Sequence, residues 1–249
     1  MKVDTKIGQL NFQEYGKKDG NTLVFLHGVF FDHTLWQTQI DRFSISHRII
    51  AVDMLGHGLS QNVKKNWSLD DCVKAVHEAI SKLDLNNITL VGHSWGSMTA
   101  LRLINKYPEN YNQAVLFNMP VHEARGMTRI GFYMQLTMSP FKKFYAKQAA
   151  KSLYSKEYLQ QNPEATDGLV KSMSIMSPQQ IRQTVKSVIL NCGDASDLVQ
   201  NTGNTSFYVG KEDYVKNQYP IEPTVLNGGH ISPHESSVEV NEAITKALA

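Results

Sequence analysis

The chain has 249 residues, of which 41% are hydrophobic and 19% are charged, and its formal net charge is +2. The length fits one α/β domain, or one domain with an insertion, and is enough to bury a sizeable core. The nearly balanced charge does not suggest a nucleic-acid-binding protein, and no apolar run predicts a signal peptide or a membrane span.

The two cysteines, Cys72 and Cys192, predict neither a disulfide framework nor a metal site. Free thiols in a reducing compartment are the expected state. We therefore expect a cytoplasmic protein that holds no metal ion.

The first predicted elements form one edge and the centre of a sheet. Residues 2–7 and 10–15 are predicted to be an antiparallel pair of strands. The almost continuous apolar run 22–26 is typical of a central parallel strand that is covered on both faces.

A loop with possible chemistry follows this strand, in the sequence His27, Gly28, Val29 and Phe30. Its glycine allows the chain to turn back over the sheet edge. The N–H group of Val29, or as the alternative that of Phe30, is then placed to donate to an oxyanion. We interpret His27 itself as a packed structural residue, because the donor required here is a backbone group.

A short helix at 35–43 and a buried strand at 48–52 are predicted next. The strand runs into a glycine-punctuated loop from Asp53 to Ser60, in which Asp53 and His57 are expected to brace the loop by hydrogen bonds. A helix at 69–83 is predicted to begin with Ser68 as its N-cap.

Residues 88–97 carry the strongest motif of the chain. A β-branched run at 88–91 leads into Gly-His-Ser-Trp-Gly, with Ser94 at its centre, and helical spacing begins directly afterwards. On such a strand-to-helix turn, the residues two before and two after the serine come too close together for any side chain. The pattern predicts an exposed nucleophile, with the N–H group of Trp95 as an oxyanion donor.

After a further strand at 113–117, the alternation of strand and helix predicts a doubly wound, mostly parallel sheet. Ligands gather at the carboxyl ends of the strands of such a sheet. The alternation stops between residues 121 and 202, where only helical segments are predicted, at 125–138, 140–154, 163–173 and 178–191. We predict a core domain of residues 1–120 and 203–249, with 121–202 as a helical cap, or lid, over the site.

Some apolar residues of the cap are expected to line a pocket and others to pack against the core. The predicted pocket residues are Phe30, Met119, Phe132, Tyr133 and Leu136. The cap between Val121 and Cys192 also has ten lysine or arginine residues against four acidic ones. This surplus favours a solvated helix face, with attraction of an acidic substrate or partner as the alternative.

The sheet is predicted to resume with strands at 205–210 and 223–226, which brings the count to eight, and a helix at 237–248 ends the chain. These strands place Asp213 and then His230 at strand ends, in chain order after Ser94. The three residue types fit a nucleophile, a general base, and an acid that orients the base. Only residues 214–221 separate the acid from the next strand, and Glu212 is the adjacent alternative acid.

These segments together resemble the α/β-hydrolase superfamily over nearly the whole chain. His27-Gly28 resembles its oxyanion loop, 92–96 its nucleophile elbow, 210–213 its acid loop and Gly229-His230 its histidine loop. The resemblance implies Ser94, Asp213 and His230 as nucleophile, acid and base, and the N–H groups of Val29 and Trp95 as oxyanion donors. Serine at the elbow is unlike the epoxide hydrolase and haloalkane dehalogenase branches, which have aspartate there. Trp95 is similar to the proline iminopeptidase branch.

The sequence therefore predicts a serine hydrolase that cleaves a small, largely apolar ester, thioester or related acyl compound through an acyl-serine intermediate, without a cofactor. Hydrolysis of a carbon–carbon bond or of an amide or aminoacyl bond is the first alternative. A non-enzymatic sensor that binds a small molecule in the same pocket is the second. A small-molecule substrate is the expected partner, with no nucleic acid and no stable membrane insertion, and the sequence leaves the oligomeric state open.

Overall fold

The computed structural model describes residues 1–64, 66–137 and 139–249, without the side chain of Gln135. Eight strands form one sheet in the order β1-β2-β4-β3-β5-β6-β7-β8. They are β1 (Lys2–Thr5), β2 (Gly8–Gly16), β3 (Thr22–Leu26), β4 (Arg48–Asp53), β5 (Ile88–His93), β6 (Gln113–Phe117), β7 (Thr205–Gly210) and β8 (Thr224–Leu226). The pairs β1·β2 and β2·β4 are antiparallel and all the others are parallel. The predicted doubly wound, mostly parallel sheet is confirmed.

Helices of the described residues lie between and after these strands. They are α1 (Gln37–Phe43), α2 (Leu69–Ile80), α3 (Trp95–Lys106), α4 (Gly126–Thr137), α5 (Lys142–Leu153), α6 (Lys156–Gln161), α7 (Ala165–Ser174), α8 (Pro178–Thr184), α9 (Ser196–Asn201), α10 (Ser232–Glu235) and α11 (Ser237–Leu248). Two 3₁₀ turns, His33–Trp36 and Lys216–Gln218, and a π-helical turn, Val185–Leu190, complete the set.

The sheet separates two hydrophobic cores because successive side chains of a strand point to opposite faces. Along β3, Val24 and Leu26 contact the core that also contains α2 and α3. Leu23 and Phe25 contact the second core, which includes residues of α1, α11 and the inserted helices. Because β3 is buried along its whole length, it has the continuous apolar sequence expected of a central strand.

The segment between β6 and β7 is helical and holds α4 to α9. The predicted helix 125–138 corresponds to α4, with its last predicted residue, Met138, outside the described residues. Helices α6 and α9 were not predicted, since six residues are too few to show a periodic pattern. The division into a core and a cap at residues 121–202 stays a prediction.

The connection from β7 to β8 contains one 3₁₀ turn, Lys216–Gln218. Although this crossover is short, β8 pairs in parallel with β7, with Gly210 opposite Leu226. The strand ends that carry Asp213 and His230 are therefore neighbours. Across the described residues, no helix has both the length and the apolar character that crossing a bilayer requires.

Candidate active site

Ser94 lies at the turn between β5 and α3, with φ 49° and ψ −111°. A positive φ is a strained conformation for serine, and such strain is common where a side chain must be presented to a ligand. A Cβ atom placed on Gly92 would lie 2.6 Å from the backbone nitrogen of Ser97, and one on Gly96 would overlap the backbone of Leu26. The structure thus requires a glycine on each side of Ser94.

The Ser94 hydroxyl contacts the imidazole of His230, with Oγ 2.9 Å from Nε2. The other ring nitrogen of His230, Nδ1, lies 2.9 and 3.0 Å from the two carboxylate oxygens of Asp213. With Asp213 ionised, Nδ1–H donates to the carboxylate and Nε2 is free to accept the Ser94 proton. The three side chains predicted from the sequence therefore form one hydrogen-bonded chain.

Three donors surround the Asp213 carboxylate. His230 provides one, the N–H group of Val215 lies 3.1 Å from Oδ1, and the amide of Asn118 lies 2.7 Å from Oδ2. Burial raises the pKa of Asp213, but the charge and hydrogen bond of His230 and the bonds from Asn118 and Val215 outweigh burial and lower it below the ordinary value. Glu212, the alternative acid, is exposed at the surface, and among the described residues its carboxylate makes no hydrogen bond or ion pair with His230.

Asn118 is a site residue that sequence reasoning did not assign. It is fully buried at the end of β6, with φ 53°, a conformation that asparagine tolerates better than most residues. Its amide donates to Asp213 and to the carbonyl of Gly229, and its own oxygen accepts from the Ser232 hydroxyl. Asn118 thus joins the acid loop to the histidine loop.

The backbone of His230 is held from two sides. Its N–H group donates to the carbonyl of Leu153, at the end of α5, and its carbonyl accepts from Nε2 of His93, each over 2.8 Å. Burial, with a further contribution from the charge of His230, lowers the pKa of His93 to about 3, so its ring remains a neutral donor. The ring of Tyr214 also packs on the imidazole of His230, with 4.8 Å between the centroids.

The predicted oxyanion donors lie on either side of Ser94. A Cβ atom on Gly28 would lie 3.2 Å from Cβ of Ser94, so the loop that carries Val29 runs directly beside Ser94. Phe30 has φ 69°, and this positive φ turns the loop back over the sheet. Within the described part of the chain, the N–H groups of Val29 and Trp95 have no hydrogen-bond acceptor. Two backbone donors beside Ser94 could bind an oxyanion, and this role stays a prediction.

Ser94 and His230 open into a cavity of about 740 Å³. Of the predicted pocket residues, Phe30 and Phe132 line this cavity. Residues that were not predicted to line the pocket complete its wall: Val29, Phe31, His93, Met98, Pro120, His122, Glu123, Ala124, Arg125, Thr128, Gly131, Tyr145, Ala149, Ser152, Leu153, Val188, Ile189, Tyr214, Gln218 and Ile231. The wall is largely apolar, and its polar residues include His122, Glu123 and Arg125.

The prediction that Met119, Tyr133 and Leu136 line the pocket is wrong. The side chain of Met119 is fully buried in the core formed with α2 and α3. Leu136 packs into the opposite core, and Tyr133 is 46% exposed on the outer side of α4, beneath the guanidinium of Arg129. The pattern of α4 alone could not distinguish its inner face from its outer face, because both faces are apolar.

His27 and Asp53 have the structural roles expected of them. Nδ1 of His27 is 2.7 Å from the carbonyl of Gly28, and its Nε2 accepts from the N–H group of Met54. Asp53 accepts from the backbone and ring of His33 and from the N–H group of Leu59. Within the described residues, no group of three or more histidine, cysteine or acidic side chains could hold a metal ion.

The chain matches a family model, aligns with curated relatives and superposes on solved structures. Residues 21–139 match a family model described as the alpha/beta hydrolase fold. The chain is 25% identical over 259 residues to 3-oxoadipate enol-lactonase 2 of Acinetobacter baylyi, which covers 96% of this chain and 92% of the relative. It is 27% identical over 120 residues to epoxide hydrolase 1 of Caenorhabditis elegans, but this match covers 47% of this chain and only 30% of the relative.

Among solved structures, a thermophilic esterase from Thermogutta terrifontis superposes with a TM-score of 0.84 at 19% identity, over 100% of this chain and 98% of the other. At this identity the likeness concerns the fold. The fold, the family model and the near full-length relative all point to the same superfamily.

Proposed function

For this chain, a hydrolase of the α/β-hydrolase superfamily, we propose a serine mechanism that cleaves a small, largely apolar ester, thioester or related acyl compound. The observation that carries the proposal is the hydrogen-bonded chain from Asp213 through His230 to Ser94, which opens into the apolar cavity. A serine so placed has a base for its proton and space for an acyl group.

In the proposed reaction, Nε2 of His230 takes the hydroxyl proton as Oγ of Ser94 forms a bond to the carbonyl carbon of the substrate. The negative charge that moves to the carbonyl oxygen is stabilised by the N–H groups of Val29 and Trp95. His230 then gives its proton to the departing alcohol or thiol, leaving an acyl-Ser94. Water, deprotonated by the same imidazole, releases the carboxylic acid and restores the serine.

Lactones are the ester class to examine first. The near full-length relative is an enol-lactonase, and a lactone is a cyclic ester that the same nucleophile would open. The match to epoxide hydrolases covers only about half of this chain, and Ser94 occupies the elbow position where that branch has aspartate. Epoxide hydrolysis is therefore not part of the proposal.

The mechanism is tested by Ser94→Ala. We expect this variant to lose at least about a thousandfold in kcat on short p-nitrophenyl esters, because nucleophile and base act as a unit. A fluorophosphonate probe should label the wild type at Ser94 and leave the variant unlabelled. Full esterase activity in Ser94→Ala, or an unlabelled wild type, would overturn the serine mechanism.

The substrate class is tested with matched esters, thioesters, lactones, aminoacyl amides and β-diketone acids. The apolar wall of the cavity favours short acyl chains without charge. A higher kcat/KM on the amides or β-diketones would replace the ester assignment and leave the role of Ser94 intact.

A further inference from the structure

The segment that contains α4 and α5 is uniformly basic. Between Ala124 and Lys156 there are seven lysine or arginine residues and no aspartate or glutamate. The seven are Arg125, Arg129, Lys142, Lys143, Lys147, Lys151 and Lys156. A solvated helix usually mixes both signs of charge, so a run of one sign creates a field that attracts anions.

Three of the four lysines of α5 form an exposed row. Lys143, Lys147 and Lys151 follow each other at intervals of four, which places them in one stripe along the helix. All three are exposed, and no carboxylate of the described residues lies within ion-pair distance of them. Arg125 instead pairs with Asp194, and Lys142 donates to backbone carbonyls.

Helix α4 is apolar on two faces. Thr128 and Phe132, one turn apart, line the cavity. The outer face of α4, formed by Met127, Ile130, Tyr133 and Met134, is exposed, with Met127 at 79% and Met134 at 68%. A surface helix normally has polar residues opposite its buried stripe, so this outer face is suited to an apolar surrounding.

Two further exposed apolar side chains lie at the start of α5. Phe141 directly precedes α5 and is 65% exposed, and Phe144 is exposed in the first turn of the helix, next to Lys143. Exposed lysine and large apolar side chains together are typical of helices that lie at the boundary between lipid headgroups and acyl chains.

We propose that the outer face of α4, with Phe141, Phe144 and the lysine stripe of α5, docks on an anionic phospholipid membrane. The apolar side chains enter the headgroup boundary, while the lysines reach the phosphates. We favour a lipid surface over an acidic protein, because the lysines are accompanied by large apolar side chains that are exposed on helices. Docking of this kind is peripheral and needs no membrane-spanning segment.

Docking would bring the cavity next to the membrane, because α4 is a wall of the cavity and also carries the docking face. An apolar substrate dissolved in the membrane would then have a short path to Ser94. The docking itself does not depend on the proposed reaction, and the Ser94→Ala protein is expected to bind vesicles as the wild type does.

The test is flotation of the full chain with two kinds of vesicle, phosphatidylcholine alone and phosphatidylcholine mixed equally with phosphatidylglycerol. We expect binding to the anionic vesicles only, weakened as salt is raised. The triple variant Lys143→Gln, Lys147→Gln, Lys151→Gln should bind roughly a hundredfold more weakly. The double variant Met127→Ser, Met134→Ser should lose roughly tenfold through its apolar area.

The matched control is Lys17→Gln, Lys18→Gln, Lys246→Gln, which removes the same charge at exposed positions outside α4 and α5. It should bind as the wild type does, and thermal unfolding should show that every variant is folded. Equal binding to both kinds of vesicle, or no binding to either, would overturn the proposal. So would a control variant that loses as much vesicle binding as the triple variant. Binding to an acidic protein in the absence of vesicle binding would also overturn it.

Discussion

Asn118 shows how one side chain determines the state of the candidate acid. Its amide nitrogen is 2.7 Å from Asp213 and 3.2 Å from the carbonyl of Gly229, and all of these groups are buried. A hydrogen bond to a buried carboxylate favours the ionised form and also fixes the direction of its oxygens. We therefore regard Asn118 as a positioning residue that acts on the substrate through Asp213 and His230.

Asn118→Gly removes the amide and leaves the positive φ unstrained, because glycine adopts it readily. We expect kcat to fall about ten- to a hundredfold with little change in KM, since a hydrogen bond to a charged group is worth about 1.5 to 3 kcal/mol. Asn118→Asp keeps the shape but puts a second carboxylate beside Asp213, which raises the pKa of the pair and moves the acid limb of the kcat profile to higher pH. Unchanged kcat and pH profiles in both variants would leave Asn118 with no positioning role.

At the scale of the element, the start of α2 shows how local sequence determines structure. Ser68 accepts a hydrogen bond from the N–H group of Asp71, and the Asp71 carboxylate accepts from the N–H group of Ser68. This reciprocal pair satisfies backbone donors that the first turn leaves free. It also fixes the register with which Val73 and Val76 enter the core.

Ser68→Ala is expected to lower the free energy of unfolding by about 1 kcal/mol, because the N-cap hydrogen bond is lost. Urea unfolding of the wild type and the variant measures the difference. Ser174→Ala, at the exposed last position of α7, is the control and should change stability by no more than a few tenths of a kcal/mol. Equal effects at the two positions would show that the cap of α2 contributes nothing particular.

At the scale of the whole molecule, buried histidines determine how the fold responds to acid. Burial lowers the pKa of His57 to about 3, of His93 to about 3 and of His234 to about 4. Their ordinary value in an unfolded chain is about 6.5. Between pH 6.5 and 4 the unfolded chain therefore binds protons that the native protein does not, and stability must fall as the pH falls. His33 acts in the opposite sense, because Asp53 raises its pKa against the effect of burial.

We expect the free energy of unfolding to decrease steadily from pH 6.5 to 4, by about 1.4 kcal/mol per pH unit for each proton taken up on unfolding. Urea unfolding at a series of pH values measures this slope. His57→Gln removes one of the protons and should make the slope shallower, with Gln retaining a donor for the carbonyl of Leu55. A stability that is flat over this range would contradict the assignment.

Stability should fall again below pH 4 because of Asp53. Burial raises its pKa, but the hydrogen bond and charge of His33, the charge of His27 and the N–H group of Leu59 outweigh burial and lower it to about 2. The stabilisation it contributes is complete above the unfolded value near 3.9 and is lost as the pH falls to about 2.

The sequence by itself determined the eight strands, the positions of the long helices and the three residues of the candidate triad. Each of these features depends on a short stretch of sequence. The stretches are a continuous apolar run for β3, an N-cap for α2, and two glycines around a strained serine at 92–96. The chain order of the strands then placed Asp213 and His230 at neighbouring ends of parallel strands.

Only the tertiary structure decided which side chains support that site and which line its cavity. The contact from Asn118 to Asp213 spans 95 residues of chain, and that from His93 to the backbone of His230 spans 137. No spacing in the sequence encodes such pairs. Similarly, α4 has apolar residues on both of its faces. The helical period fixes the directions of its side chains relative to one another, but the packing of the helix against its neighbours decides which face turns toward the cavity. The structure turns Phe132 toward the cavity and leaves Met134 exposed.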